Sequence, residues 1–314
     1  MDEKQIFEKV NSLIQNIEKV ILGKHEAVKL AVAVFLSEGH LLMEDVPGMG
    51  KTVLAKSLSK SFSGTFRRIQ FTPDLLPSDI SGSYIYNQKN VEFEFRPGPI
   101  FANIVIADEI NRGTPRTQSS LLEPMEEFQV TADGNTFKLE KPFFLIATQN
   151  PVEREGTYFL PVSQLDRFLT KMKIGYPEKS HEIQILRDRK GKNPLDEIEP
   201  VVSADEIVEI QKFVQTIKVD TRLYEYIVEI TQLTRISDKL IIGVSPRASL
   251  DLFRFSQALA MLEERNYCIP DDVKAAAPLV LAHRVIPASP AKTELGNPQE
   301  IIKKLVDEIS VPIQ

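Results

Sequence analysis

The 314-residue sequence has one cysteine, Cys268, so it forms no internal disulfide and no cysteine metal cluster, and it suits a reducing compartment. Its four histidines, His25, His40, His181 and His283, are scattered without metal-ligand spacing and read as surface or boundary residues. No lysine/arginine run stands out. With a net charge of −6 and a pI near 5.5, the chain carries no nucleic-acid footprint, and its partner surfaces are expected to be protein. The longest apolar run, Leu30 to Leu36, is far too short to span a bilayer, and Met1 to Asn11 is charged, with no apolar signal-peptide core. The expectation is a cytoplasmic protein without membrane insertion. No internal repeat or low-complexity stretch is evident. What remains is 42% hydrophobic content, enough to build real cores, over a length that makes one large or two medium domains.

What is present centres on Asp45-Val46-Pro47-Gly48-Met49-Gly50-Lys51-Thr52. His40 to Glu44 before it reads as a short buried strand and Val53 to Leu58 after it as a helix, the context a phosphate loop requires. Gly48 and Gly50 let backbone N–H groups close around an anion, and the helix N-terminus adds its positive dipole end. Lys51 can reach the outer phosphates and Thr52 can hold Mg²⁺. The usual pattern begins with glycine where this chain has Asp45. Aspartate tolerates turn geometry, so the departure is read as minor.

Around this loop the pattern alternates. Residues 3 to 20 space Ile6, Val10, Leu13, Ile14, Ile17 and Val20 as an amphipathic helix, and a second helix is expected from His25 to Glu38. Arg67 to Phe71, Ile104 to Ala107, Phe143 to Thr148 and Lys171 to Tyr176 read as further strands, with a helix from Pro115 to Glu127. Two hairpins interrupt them: Tyr84 to Phe95, turning at Asn87 to Asn90, and Phe128 to Leu139, turning at Asp133-Gly134. Strands alternating with helices predict an α/β unit, a parallel sheet with helices on both faces. After about residue 178 the pattern turns helical, punctuated by prolines, with a capping box at Ser203 to Glu206, a helix over 222–236 and another opening at Pro246-Arg247. The expected domains are 1–178 and 179–314, the second all-helical.

Ligands of open α/β sheets bind beyond the carboxyl ends of the strands. Asp108, ending one apolar strand, can hold Mg²⁺ through its water shell, and Glu109 can polarise a water for attack on a γ-phosphate. Asn150 follows the adjacent strand and could orient that water. Arg167 and Arg247 could supply the positive charge that phosphoryl transfer needs in its transition state.

Val46 to Thr52, Ile106-Ala107-Asp108-Glu109-Ile110-Asn111-Arg112, Ala147 to Pro151, Leu165-Asp166-Arg167-Phe168 and Gly243 to Ala248 together resemble the MoxR family of AAA+ ATPases, over residues 20 to 290. The resemblance implies a five-stranded AAA+ core followed by a helical lid, with ATP or ADP and Mg²⁺ as ligands. It implies a Walker A loop, Val46 to Val53, with Lys51 and Thr52, a Walker B pair at Asp108 and Glu109, and sensor 1 at Asn150. It further implies an arginine finger at Arg167, sensor 2 at Arg247, and adenine packed against the turn that holds Val20, Ile21 and Gly23.

The two hairpins resemble the helix-2 and pre-sensor-1 inserts, which in related proteins face the pore of a hexameric ring. Family members are generally viewed as chaperone-like remodellers working with proteins that carry a von Willebrand factor A domain. This chain is read as having no such domain and no Asp-x-Ser-x-Ser metal motif, so that domain would belong to the partner. Two functions follow: a ring-forming ATPase that remodels protein partners, or a nucleotide-dependent scaffold with negligible turnover. Whether Arg247 serves its own subunit's nucleotide or a neighbour's stays open. A small-molecule kinase would need an acceptor pocket and an arginine-rich lid, and no stretch supplies them.

Overall fold

The computed structural model describes residues 1–151, 156–188, 193–288 and 297–312. Helix α1 (Glu3–Glu18) starts with a capping box between Asp2 and Gln5 and buries its Ile6, Val10, Leu13, Ile14 and Ile17 stripe. Helix α2 (His25–Leu36) is buried throughout Ala31 to Leu36, which explains why its pattern reads as an apolar run. Strand β1 (Leu41–Glu44) then enters the loop that ends in α3 (Lys51–Ser61), and β2 (Phe66–Gln70) follows.

Short α4 (Pro77–Ser81) leads into the hairpin of β3 (Gly82–Asn87) and β4 (Glu92–Pro97). One string here, Asp79-Ile80-Ser81-Gly82-Ser83, does match Asp-x-Ser-x-Ser, contrary to the sequence reading. Its side chains serve local structure instead. The Asp79 carboxylate accepts the Leu76 N–H at 2.9 Å, and the Ser81 hydroxyl donates to the Pro77 carbonyl at 3.0 Å.

After β5 (Ile104–Asp108), the single helix expected over 115–127 is two pieces, α5 (Pro115–Ser119) and α6 (Leu122–Glu127). Pro124 has no N–H to give the Ser120 carbonyl four residues back and its ring crowds it, so the helix breaks there. The second hairpin, β6 (Gln129–Ala132) and β7 (Asn135–Lys138), turns at Asp133 and Gly134, both at positive φ. Strand β8 (Phe144–Gln149), short α7 (Val162–Leu165) and β9 (Thr170–Met172) complete the sheet. β9 is shorter than the expected 171–176. The Asp45 carboxylate takes the backbone N–H groups of Ile174 and Gly175, and Gly175 lies at positive φ, so the chain leaves the ladder.

The five strands run parallel in the order β2-β5-β8-β1-β9. Strand alternation divides their side chains between two cores. Leu41, Met43, Ile104, Ile106, Phe144 and Ile146 pack with α1, α2 and α3, whereas Leu42, Val105, Ala107, Leu145 and Ala147 pack with Ile110, Leu121 and Met125. His40, expected at a surface or boundary, is only 2% exposed.

The C-terminal region comprises α8 (Lys179–Asp188), α9 (Ala204–Val214), α10 (Thr221–Ile236), α11 (Pro246–Leu262), α12 (Pro270–Leu281) and α13 (Pro298–Asp307). The Ser203/Glu206 capping box is present, at 2.7 and 3.2 Å. One ribbon interrupts the helices, β10 (Leu240–Ile242) antiparallel to β11 (Ile286–Pro287). This region docks on the opening helices: Gln211 donates to the Phe35 carbonyl at 2.8 Å, and α1, α2 and α9 to α13 share one hydrophobic core. Among the described residues no helix is long and apolar enough to cross a membrane.

Candidate functional site

The loop after β1 has the backbone its glycines predict. Gly48 and Gly50 sit at φ 89° and 86°, a region in which L side chains are strained, and a Cβ on Gly48 would meet nothing within 4 Å. The first N–H groups of α3 have no intrahelical partner, which makes the loop an anion cradle. Lys51 is buried, and its ammonium donates to the Asp45 carbonyl at 2.6 Å. Burial pushes its pKa below the usual lysine value, while the charges of Asp108, Asp45 and Glu109 pull it back up. Thr52, half-buried, follows it on the first turn.

Asp45 is not the passive replacement for glycine that the sequence suggested. Its Oδ2 accepts the N–H groups of Ile174 at 2.6 Å and Gly175 at 3.0 Å, tying the phosphate loop to the segment after β9. That tie also shapes a cavity of about 200 Å³, lined by Val20, Ile21, Gly48, Met49, Gly50 and Val53 on one side and by Ile174, Gly175, Pro177 and Leu195 on the other. Of the turn expected to meet adenine, Val20 and Ile21 line this cavity. Gly23 does not; it is at φ 68° and packs so tightly on His181 that a Cβ would lie 2.3 Å from the imidazole. Val46 and Pro47 belong to the loop but do not line the cavity.

Strand order sets the rest. β8 lies between β5 and β1, so Asp108-Glu109, Asn150 and the phosphate loop leave neighbouring strands at the same end of the sheet. Asn150 is 7% exposed there. Glu109 occupies the left-handed region at φ 55°, a strained conformation that surrounding bonds must hold. Its N–H donates to the Thr148 hydroxyl at 2.9 Å, and that hydroxyl donates to Asp108 Oδ1 at 2.5 Å.

Strand β2 holds the other side. Alternate residues face one way, and Arg68 donates through Nε and Nη2 to Asp108 Oδ2 at 3.1 and 2.5 Å. Arg68 Nη2 also donates to Gln70 Oε1 at 2.7 Å, and Gln70 Nε2 in turn donates to Glu109 Oε2 at 2.8 Å. Arg112 meets the same Glu109 oxygen at 3.0 Å, so both donors to the side chain among the described residues use Oε2. Sequence reading missed Arg68, Gln70 and Thr148. The i, i+2 spacing of Arg68 and Gln70 was available, but its meaning requires knowing that β2 borders β5.

The two expected arginines meet each other away from these groups. Arg167 Nε lies 3.0 Å from Glu126 Oε1, and its Nη1 donates to the Ser163 carbonyl at 2.5 Å. Arg247, at the start of α11, donates from Nη1 to the same Glu126 oxygen. Burial alone would raise the Glu126 carboxyl, but hydrogen bonding and charge from Arg247, with the charge of Arg167, hold it below the usual range. Beneath them, buried Arg284 donates to the Phe168 carbonyl at 2.8 Å and to Asp251 at 2.7 Å, and lies 3.6 Å from Asp166. Ser245 donates to Asp166 at 2.9 Å. Arg167 and Arg247 thus sit where the helical region joins the sheet.

Comparison with known proteins agrees with this architecture. Residues 40–170 match the model of the ATPase family associated with various cellular activities (AAA), and residues 232–305 match that of the AAA lid domain. The chain is 48% identical over 301 residues to the uncharacterized protein YeaC of Bacillus subtilis, covering 96% of this chain and 94% of that one. It is 37% identical to Chaperone MoxR1 of Mycobacterium tuberculosis, over 99% of this chain and 82% of the relative. A crystal structure of a candidate ATPase from Cytophaga hutchinsonii superposes with a TM-score of 0.91 at 35% identity, covering 99% of this chain and 97% of that one. With a parallel core, a phosphate loop, an acid pair at the neighbouring strand ends and a helical lid, the chain belongs to the MoxR family of AAA+ ATPases.

Proposed function

We propose that the chain binds Mg-ATP beyond the ends of β1, β8 and β5, hydrolyses it to ADP and phosphate, and does so as a ring, hexameric by family resemblance. The observation that carries this reading is the strand order, which puts the phosphate loop, Asn150 and Asp108-Glu109 on three neighbouring strands. Loop N–H groups and Lys51 hold the β- and γ-phosphates, and adenine enters the cavity beside Val20 and Ile21. Thr52 and Asp108 offer the oxygen donors that Mg²⁺ prefers; the ion when bound neutralises charge on the phosphate oxygens. Glu109, whose Oε1 takes no hydrogen bond from a described residue, takes the proton of the attacking water, which Asn150 orients.

Arg167 and Arg247 bond to Glu126 and Ser163 and to none of the residues just named, which supports assigning both to a neighbouring copy's γ-phosphate. The test is steady-state phosphate release by the unmodified chain, Lys51→Ala and Glu109→Gln. We expect turnover in the first, lost nucleotide affinity in the second, and retained affinity without turnover in the third. Negligible release by the unmodified chain at assembling concentrations would favour the scaffold reading instead.

The work of the ring is remodelling of protein partners in the cytoplasm. The first hairpin exposes Ile85, Tyr86, Val91 and Phe93, apolar groups suited to a polypeptide client, and the net charge of −6 disfavours nucleic acid. The two hairpins support each other: Phe95 stacks on Phe137 with ring centres 4.0 Å apart, and Asn135 donates to the Tyr84 hydroxyl at 2.8 Å. A protein carrying a von Willebrand factor A domain is the partner the family resemblance suggests. Capture with Glu109→Gln in the native cell, in the presence of ATP, should retain both client and partner; a preparation that retains neither would end this part of the proposal.

A further inference from the structure

Two guanidinium groups 80 residues apart in the chain (247 − 167) converge on one carboxylate oxygen. Arg167 approaches Glu126 Oε1 through Nε at 3.0 Å, and Arg247 donates to it through Nη1. Like charges brought to one point repel unless an anion lies between them, and Glu126 is the only carboxylate that either arginine contacts among the described residues. Arg167 Nη2 and Arg247 Nε and Nη2 make no hydrogen bond to any described residue, so each guanidinium keeps donors for an incoming anion.

The support under Glu126 is built from both sides. One turn earlier on α6, Glu123 accepts the Thr131 N–H at 2.9 Å and its hydroxyl at 2.6 Å, which fixes the helix to the second hairpin. Between them, the Met125 carbonyl accepts from His40 Nε2 at 3.0 Å, and His40 Nδ1 accepts the Leu145 N–H of β8 at 3.1 Å. A carboxylate carried on so many fixed bonds presets its partners' geometry, the condition for electrostatic catalysis.

We propose that Glu126 is the positioning residue of this ATPase: it holds Arg167 and Arg247 as one cationic unit aimed at a neighbouring copy's γ-phosphate. This rests on the reading of the two arginines given above. Glu126 itself touches no nucleotide; it acts through the arginines, so its loss weakens the chemical step and leaves nucleotide binding to the phosphate loop intact.

The experiment uses the full chain at concentrations where specific activity has reached its plateau. Turnover is read as kcat and KM for ATP, nucleotide affinity by fluorescence titration with a labelled ADP, and fold by thermal melting. Glu126→Ala should lower kcat on the order of 10-fold, with KM and ADP affinity within about twofold and an unshifted melt. Glu126→Gln, which keeps an acceptor for Arg247 but loses the charge, should fall between it and the unmodified chain, and serves alone if the alanine variant does not fold. Glu126→Ala combined with both Arg167→Ala and Arg247→Ala should be no slower than the two arginine substitutions by themselves, because the carboxylate has no route except through the arginines.

Equal or faster turnover in both Glu126 variants, with Arg167→Ala silent, would overturn the role of Glu126 and leave the arginine reading standing. Full turnover in both Arg167→Ala and Arg247→Ala would overturn the arginine reading and Glu126 with it. A loss of ADP affinity equal to the loss of kcat would also refute the proposal, since it would place Glu126 at its own subunit's nucleotide.

Discussion

The phosphate half of the candidate site and its arginine half are built on opposite plans. Lys51, Asp108, Glu109 and Asn150 stand at the ends of three adjacent strands, so the ladder that forms the sheet also sets their spacing. Arg167 and Arg247 come from the segment before β9 and the start of α11, and only side-chain bonds to Glu126 and the Arg284 network bring them together. A ladder is cooperative and hard to distort. The charge cluster rests on a few individual side-chain bonds, so one substitution can undo it, whereas no single side chain carries the ladder.

The sharpest way to break that contrast is Arg167→Ala. If the arginine half acts across a ring interface, turnover should fall on the order of 10³–10⁵-fold while the variant still binds ATP through its own Lys51. Specific activity of the unmodified chain should rise with concentration. Mixing Arg167→Ala with Lys51→Ala subunits should restore turnover at mixed interfaces. A mixture that stays silent, in rings shown by mass to be mixed, returns Arg167 to its own subunit.

Glu109→Gln tests the opposite half. Hydrolysis should fall roughly 10²–10⁴-fold with binding retained, since the amide keeps the size and loses the base. Mixing with Arg167→Ala subunits distinguishes the halves: each supplies what the other lacks, and turnover should return. Wild-type turnover in Glu109→Gln alone would move the base to another residue.

The contrast also explains what the sequence could disclose. Lys51, Asp108 and Asn150 were legible because each follows an apolar run of strand length, and the local order of strand, turn and acid survives in one dimension. Asp45 was visible but misjudged: its meaning lies in two N–H groups 129 and 130 residues away. Glu126 could not be found, because an acid on the exposed face of a short helix has no local mark, and its partners are 41 and 121 residues distant (167 − 126 and 247 − 126). The break between α5 and α6 was legible in principle from Pro124, which lies inside the expected helix over 115–127. His40 read as a boundary residue because a lone histidine before a strand carries no sign of the Met125 carbonyl and Leu145 N–H that enclose it.

A smaller effect separates binding from chemistry within the phosphate half. Lys51→Ala removes a charge-assisted contact worth roughly 1.5–3 kcal/mol, so ATP affinity should fall about 10- to 150-fold by calorimetry. Arg247→Ala should leave that affinity unchanged. Equal losses in both would merge the halves into a single same-subunit site.

The mildest test uses acid on the arginine half alone. His40 and His283 are both held neutral, at pKa values of about 4 and about 3, in each case chiefly by burial. For His40 the charge of Arg247 adds to burial, and for His283 that of Arg284 does, while hydrogen bonds to the carbonyls of Met125 and Phe168 oppose the shift. Those carbonyls adjoin Glu126 and Arg167 directly. A histidine whose folded pKa lies below its unfolded value of 6.5 costs stability as the pH falls beneath 6.5, because the unfolded chain then binds the extra proton. The loss saturates only below the folded pKa. At pH 5 each histidine should therefore contribute about 2 kcal/mol of destabilisation relative to neutral pH. Urea titrations at pH 7 and pH 5 should show the difference, and His40→Gln should remove its share of that pH dependence whatever it costs at pH 7. If the pH dependence is unchanged in His40→Gln and in His283→Gln, the proton uptake lies elsewhere and the arginine half is no more acid-sensitive than the phosphate half. If both variants flatten it, His40 and His283 take up the protons that destabilise the fold, and both histidines bond to carbonyls next to Glu126 and Arg167.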